Sequence, residues 1–146
     1  MSDRPPPRWF LRLLTLIHVG VYRVSGGRVG RRAGSYEMCM VTMTGAKSGR
    51  RRTIPLMLVP DGEAVVLVAS QGGAPTHPQW YYNLRAHPDI TVERSGRSIP
   101  MRAELSSTEE RARLWPICVE HYPPYADYQR RTEREIPVFR CAPAGR

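Results

Sequence analysis

A chain of 146 residues, 41% hydrophobic and 8% aromatic, is long enough for one domain with its own core and too short for a comfortable second. This composition excludes a disordered chain, while 14 prolines and 12 glycines demand short strands and many turns. The net charge of +9 is concentrated in two places, and residues 53–146 balance eleven arginines against eleven acids, which argues against a nucleic-acid coat and for local anion sites.

The first basic place is residues 1–34, where Arg4, Arg8, Arg12, Arg23, Arg28, Arg31 and Arg32 face Asp3 alone. Pro5, Pro6 and Pro7 precede a predicted helix from Arg8 to about Val24, stopped by Gly26 and Gly27. Trp9, Leu13, Leu16, Ile17 and Val24 recur at helical spacing, flanked by Arg8, Arg12 and Arg23. Two readings stay open: a helix packed on its own domain, or one lying at a membrane surface among anionic headgroups on the cytoplasmic face. The run is too short to span a bilayer and no small-residue cleavage motif follows it, so neither a membrane span nor a secretory signal is expected. Cys39, Cys118 and Cys141 are far apart, with no C-x-x-C and no histidine at metal spacing, which suits a reducing, cytoplasmic compartment and no metal site. The expected division is a basic N-terminal helix and linker over 1–34 and a single β-rich domain over 35–146.

From Glu37 the hydrophobic period changes. "EMCMVTMT", "TIPLMLVP" and "EAVVLVAS" read as an antiparallel meander, the last two joined by a tight turn at Asp61 and Gly62. "HPQWYYNLRAHP" reads as a helix with Pro78 in its first turn and Pro88 beyond its end. Two further strands, "DITVER" and "SIPMRAEL", meet around Ser95 and Gly96, and Ser107 with Glu110 forms a capping box for a helix through Leu114 that Pro116 is expected to kink. A tyrosine-rich segment from His121 to Gln129 leads to a last strand near "IPVFRC". The class is α+β, mainly β, and a partly closed antiparallel β-barrel with flanking helices satisfies the order, since closure removes exposed strand edges.

Three stretches carry the chemistry. "TGAKSGRRRTIP", residues 44–55, packs Lys47, Arg50, Arg51 and Arg52 between two strands. It is no P-loop, because Ala46 stands where that motif needs glycine and no helix follows, yet its cations and amides can serve a phosphate or carboxylates. A solvated charged turn is the alternative. In "VASQGGAPTHPQWYYNL", Gly72 and Gly73 permit close backbone approach to a ligand, and the following helix is expected to aim its first turn at the same place. His77 reads as a cap or surface residue, and at least one of Trp80, Tyr81 and Tyr82 belongs to the core. Tyr122, Tyr125 and Tyr128, at i, i+3 and i+6, make one slanting stripe on a helix; their phenols suit a planar ligand, with plain packing as the alternative. No hydrolase elbow, metalloprotease helix or dinucleotide fingerprint occurs, so an enzyme built on this chain takes its chemistry from a cofactor.

Taken in order, "TGAKSGRRRTIPLMLV", "DGEAVVLVASQGGAPTHPQWYYNLRAHPDITVE" and "YPPYADYQRRTEREIPVFRC" resemble the deazaflavin-dependent nitroreductase family of actinobacteria from about Met38 to Pro143. The resemblance implies a split β-barrel related to flavin-binding barrels and coenzyme F420, whose deazaflavin ring carries a phosphate and a tail of glutamates. By that similarity Lys47, Ser48 and Arg52 hold the phosphate and tail, with Arg50 and Arg51 adding field. Pro55, Leu56 and Met57 line the cofactor wall, Ser70, Gly72 and Gly73 approach the ring or its linker, and Trp80, Asn83 and Leu84 close the pocket. Tyr122, Tyr125 and Tyr128 match the substrate-side tyrosines, and with Ser70 they form the catalytic set. Two positions depart from the pattern: Gln71 replaces a lysine near the cofactor, and Met57 replaces an aromatic residue and widens the substrate side.

The implied reaction is hydride transfer from reduced F420 to a quinone such as menaquinone, or to a nitroaromatic, with Ser70, a tyrosine or water supplying the proton. Residues 8–24 would bring the site to a membrane quinone. Three other readings compete: FMN on the same barrel, a membrane-docked cofactor carrier without turnover, and a basic nucleic-acid module, which lacks a reading helix. Monomer and dimer stay open.

Overall fold

The computed structural model describes residues 36–145, the backbone of Arg32 and Ala33, and the helical, exposed positions Arg12, Leu13 and Ile17. The expected helix over 8–24 and the division at residue 34 otherwise lie outside the described residues. Eight strands follow in order: β1 (Arg32–Ala33), β2 (Tyr36–Thr44), β3 (Arg51–Met57), β4 (Val59–Asp61), β5 (Ala64–Val68), β6 (Asp89–Arg94), β7 (Arg97–Leu105) and β8 (Val138–Pro143). Helix α1 (Gln79–Ala86) lies between β5 and β6, and α2 (Thr108–His121) and α3 (Pro124–Arg130) lie between β7 and β8. Every pairing is antiparallel, in the order β1-β2-β6-β7-β8-β5-β4, with β3 on β2.

The expected single strand "TIPLMLVP" is divided, because no straight strand reaches both of its partners. Its first half, β3, pairs with β2 from Thr44↔Arg51 to Met38↔Met57, and after Leu58 its second half, β4, pairs with β5 from Val59↔Val66 to Asp61↔Ala64. The bent ribbon joins the two ends of the sheet and curls it into a barrel, with a split where β4 stops short of Leu67 and Val68. The bonds Gly45 N–H to Arg50 O and Leu58 N–H to Glu37 O bracket the β2–β3 ladder. Alternation between them makes Met40↔Pro55 a non-hydrogen-bonded pair, so the nitrogen of Pro55 faces the split. A proline there presents no donor to that open edge, which is where sheets tolerate proline.

Two apolar layers form on the faces of this sheet. Inside the barrel, Val41, Met43, Leu58, Val65, Leu67, Val92, Met101 and Phe139 pack together with Trp80 and Leu84 of α1. Outside it, Val59, Val66, Val68, Ile136 and Val138 pack under Leu114, Cys118 and Tyr125. Strand β5 is buried at every position because both of its faces are covered, whereas β7 alternates, with only Met101 and Ala103 buried. The three cysteines are unpaired and fully buried; burial pushes the thiols of Cys39 and Cys118 up to about 12 and raises Cys141 as well.

Ser107 caps the helix as expected, its Oγ accepting from Glu110 N–H at 3.2 Å, without a return bond from the Glu110 side chain among the described residues. Contrary to expectation, α2 does not end near Leu114 but continues through Pro116 to His121. Leu114 and Cys118, both fully buried, hold that turn by packing despite the lost backbone bond. Asp61 joins three elements: its carboxylate accepts from Arg113 of α2 at 3.2 and 3.0 Å and from Arg140 of β8 at 2.9 Å. These donors hold the carboxyl at about 2, below its ordinary 3.8. A depressed carboxyl stabilises the fold fully above its unfolded value and loses that contribution as pH falls through the folded one. Asp61→Asn is expected to lower Tm at pH 7 by a few degrees, with the gap to the parent closing as pH drops from about 4 to about 2; thermal melts followed by circular dichroism across that range check it.

Candidate functional site

A cleft of about 220 Å³ opens at the split in the barrel. Met38 of β2 and Pro55, Leu56 and Met57 of β3 form one wall; Val68, Ser70 and Gln71 come from the end of β5 and the turn after it. Trp80 of α1 closes the inner end, packed on Phe139 with ring centroids 5.8 Å apart. Ser70 is buried to 8% exposure, and its hydroxyl has no hydrogen-bond partner among the described residues.

Tyr122, Tyr125 and Tyr128 form the opposite wall. They do not share one helix, since Tyr122 caps α2 and the other two lie in α3, but the tight connection still clusters the rings at centroid distances of 4.9–6.2 Å. The hydroxyls of Tyr122 and Tyr128 are 3.2 Å apart and hydrogen-bonded. That bond, then burial, pushes the Tyr122 phenol up to about 12; burial raises Tyr125 too. Tyr36 joins the cluster edge-on to Tyr122 at 4.8 Å. Sequence reasoning missed it because it lies outside the i, i+3 spacing, across the fold on β2.

A second cleft, of about 210 Å³, lies at the basic loop, lined by Gly45, Ala46, Lys47, Ser48, Arg52, Gln79, Asn83 and Arg12. Arg12, Lys47 and Arg52 supply three cations and no described lining residue is an acid. The loop is a hairpin whose Gly49 takes φ 67°. Its inner glycine is constrained by space: a Cβ at Gly45 would stand 2.5 Å from Ser48 Oγ and 3.6 Å from Arg52 Nε, filling the cradle. Asn83, buried to 4%, fixes the loop to α1, its Oδ1 accepting from Ala46 N–H at 2.9 Å and its Nδ2 donating to Met43 Sδ at 3.6 Å.

The structure thus gathers Pro55, Leu56, Met57, Ser70, Gln71, Trp80 and the three tyrosines in one cleft, and Lys47, Ser48, Arg52 and Asn83 in the other. Five expected residues line neither. Leu84 is a core residue at 1% exposure, and Arg50 and Arg51 are exposed on the outer side of the hairpin, Arg51 donating to Thr44 Oγ1 at 3.1 Å. Gly73 is buried against α3, and Gly72 is exposed. The first turn of α1 borders both clefts, Gln79 the basic one and Trp80 the apolar one, whose lining includes Gln71 but neither glycine. His77 does not cap α1: it is half-buried beneath Tyr81, with Nδ1 2.9 Å from Arg134 Nη1. Arg134 also donates to the carbonyls of Ala69, Ser70 and Ala74, a role that a lone arginine in "QRRTEREIP" gives no sign of. Among the described residues no helix is long and apolar enough to cross a membrane and no cluster of metal-binding side chains occurs.

Comparison with known proteins agrees with this geometry. An F420H(2)-dependent quinone reductase of Mycobacterium tuberculosis is 37% identical over 139 residues, spanning 90% of this chain and 93% of that protein. A solved F420-H2 dependent reductase superposes with TM-score 0.67 at 45% identity, covering 71% of this chain and 92% of the other. A solved domain-swapped dimer gives TM-score 0.71 at 39% identity over 86% of this chain and 96% of its own. The family model described as F420H(2)-dependent quinone reductase matches residues 14–143, and the chain belongs to that family.

Proposed function

We propose that the chain reduces quinones with F420H2, the ring of the cofactor lying in the apolar cleft and its phosphate and glutamates in the basic one. The observation that carries this reading is the adjacency of two clefts of opposite character. Gln79 and Trp80, successive in α1, line one each, and Arg52 and Pro55 on β3, also one each, are only about 10 Å apart along the strand. A ligand with a flat apolar end and a polyanionic end fits such a groove. The donor set fits too: among the described residues three cations, a serine and no acid would face the anion, in a cradle that a side chain at Gly45 would fill. FMN would use the phosphate site but leave the outer cations unanswered.

When bound, reduced F420 supplies a hydride from its deazaflavin ring to an electron-poor acceptor. Pro55, Leu56, Met57 and Trp80 would hold the flat ring by apolar contact and exclude water. The acceptor lies against Tyr122, Tyr125 and Tyr128, whose rings suit a planar quinone. One of the paired hydroxyls of Tyr122 and Tyr128 donates to the other, which leaves a second proton to point at the quinone oxygen that becomes negative as the hydride arrives. Tyr122 keeps its proton at neutral pH, so it serves as a donor throughout the working range. The single proton that the hydride-reduced quinone still needs comes from a tyrosine hydroxyl, from Ser70, whose hydroxyl is unengaged, or from water. The exposed apolar positions Leu13 and Ile17 beside Arg12 support peripheral contact of residues 8–24 with an anionic bilayer, the source of a lipid-soluble quinone.

Three outcomes are expected. Titration with F420, read by the fluorescence of Trp80, gives saturable binding, and Arg52→Ala raises Kd by about tenfold while Tm holds; no binding at tens of micromolar, or a yellow protein loaded with FMN, would overturn the reading. Tyr122→Phe lowers kcat with a soluble quinone by roughly ten- to a hundredfold and leaves the Kd for F420 nearly unchanged. The chain floats with anionic vesicles and not with neutral ones; equal behaviour on both removes the membrane contact.

A further inference from the structure

The turn at the mouth of the apolar cleft passes through three successive left-handed residues, Gln71 at φ 46°, Gly72 at 63° and Gly73 at 81°. Glycine takes this conformation freely and glutamine does not, so an external contact must hold the turn. On one side the turn leans on α3: a Cβ on Gly73 would stand 2.7 Å from the Tyr128 carbonyl oxygen and 3.0 Å from its Cα. On the other lies Arg134. Its Nη1 and Nη2 donate to the carbonyls of Ala69 at 3.2 Å and Ser70 at 2.8 Å, before the turn, and its Nε donates to Ala74 at 2.9 Å, after it.

We propose that Arg134, locked by His77, is a positioning residue for the reaction, clamping the Ser70–Ala74 turn against the tyrosine helix and so fixing Ser70 and Gln71 relative to Tyr128. The inference rests on the quinone-reductase reading of the cleft. One planar guanidinium spans both ends of the turn, a geometry that a lysine's single ammonium cannot reproduce. Arg134 is itself placed from below: Gln129 of α3 donates from Nε2 to the Arg134 carbonyl at 2.8 Å and accepts at Oε1 from Ile136 N–H at 2.9 Å and from Arg111 Nη2 at 3.1 Å. The same helix thus carries Tyr128 and, through Gln129, the support of the clamp.

His77 makes the clamp sensitive to acid. Arginine offers only N–H groups, so the 2.9 Å contact requires His77 Nδ1 to be the acceptor, with the ring neutral and its proton on Nε2. The groups facing His77 are Arg134 and, from α1, the rings of Tyr81 at 4.2 Å and Tyr82 at 6.2 Å; no carboxylate among the described residues is bonded to it. Protonation would set N–H against N–H and cation against cation. Burial and the Arg134 charge pull the imidazole below its ordinary value of 6.5, so the clamp is intact at neutral pH and slackens only below it.

The test uses the full chain with Arg134→Lys and His77→Gln, whose amide oxygen still accepts from Arg134 but does not titrate. In the cofactor-free protein, the amides of Gly73 and Ala74, bonded to Ser70 O and Gln71 O at 2.9 and 3.1 Å, report the turn by hydrogen exchange. Arg134→Lys is expected to exchange these two amides faster than the parent at pH 7 while core amides keep pace. With F420H2 and a soluble quinone it is expected to lose roughly tenfold in kcat, with the Kd for F420 changed far less, since the anion cleft is untouched. Once exchange is normalised to the intrinsic rate at each pH, the parent is expected to show both effects progressively as pH falls below the ordinary imidazole range, and His77→Gln to show neither acid effect. Unchanged exchange and kcat in Arg134→Lys, or an acid limb that persists in His77→Gln, overturns the clamp. A parent chain that neither binds F420 nor reduces the quinone overturns the underlying assignment instead.

Discussion

The missing amide of Pro55 is the constraint on which the rest of the site depends. A barrel of this size closes when each strand finds a partner on both sides, and the ribbon formed by β3 and β4 is long enough to bridge its two neighbours only by changing allegiance at Leu58. Up to that residue it belongs to β2, and beyond it to β5. Between the two lies a gap whose β3 edge carries a proline nitrogen where a donor would invite another strand. The gap persists as an apolar cleft: one wall is β2 and β3 themselves, and the rest arrives from elements that this closure brings up to them, the end of β5, the first turn of α1, and the tyrosines at the end of α2 and in α3.

Charge is distributed with the same economy of place. The body of the chain is neutral, and several of its acids sit in ion pairs, such as Asp61 with Arg113 and Arg140, and Glu37 with Arg94. Among the described residues Lys47 and Arg52 have no such partner and line a cleft with no acid on its walls. An unopposed cluster of this kind carries a mutual repulsion that an anion relieves, so the hairpin is held ready by Asn83 and Gly45 rather than by its own ion pairs.

Much of this was legible in the sequence because strands and turns announce themselves locally. The strand run "EMCMVTMT", the Asp61–Gly62 and Ser95–Gly96 turns and the Ser107 helix cap each depend on residues a few positions apart, and all four appear where expected. The two halves of the site were legible as motifs, but the assignment of individual side chains within them was not. Leu84 and Asn83 are adjacent in one helix, yet one is core and the other a loop brace, a distinction set by the rotation of α1 on the barrel. Arg50 and Arg51 share composition with Arg52 and differ only in which way the hairpin turns them. Arg134 and Tyr36 act across 60 residues or more of chain, so no local pattern could single them out. The continuation of α2 past Pro116 is a case of packing by Leu114 and Cys118 overriding a local breaker.

The three sealed cysteines bear on the choice of acceptor. A quinone is an electrophile at its ring carbons as well as an oxidant, and a thiolate nearby would add to it irreversibly. Here each of the three cysteine sulfurs is beneath the surface, and its environment keeps it in the unreactive thiol form. A catalyst built in this way can meet an alkylating substrate at each turnover without being consumed by it.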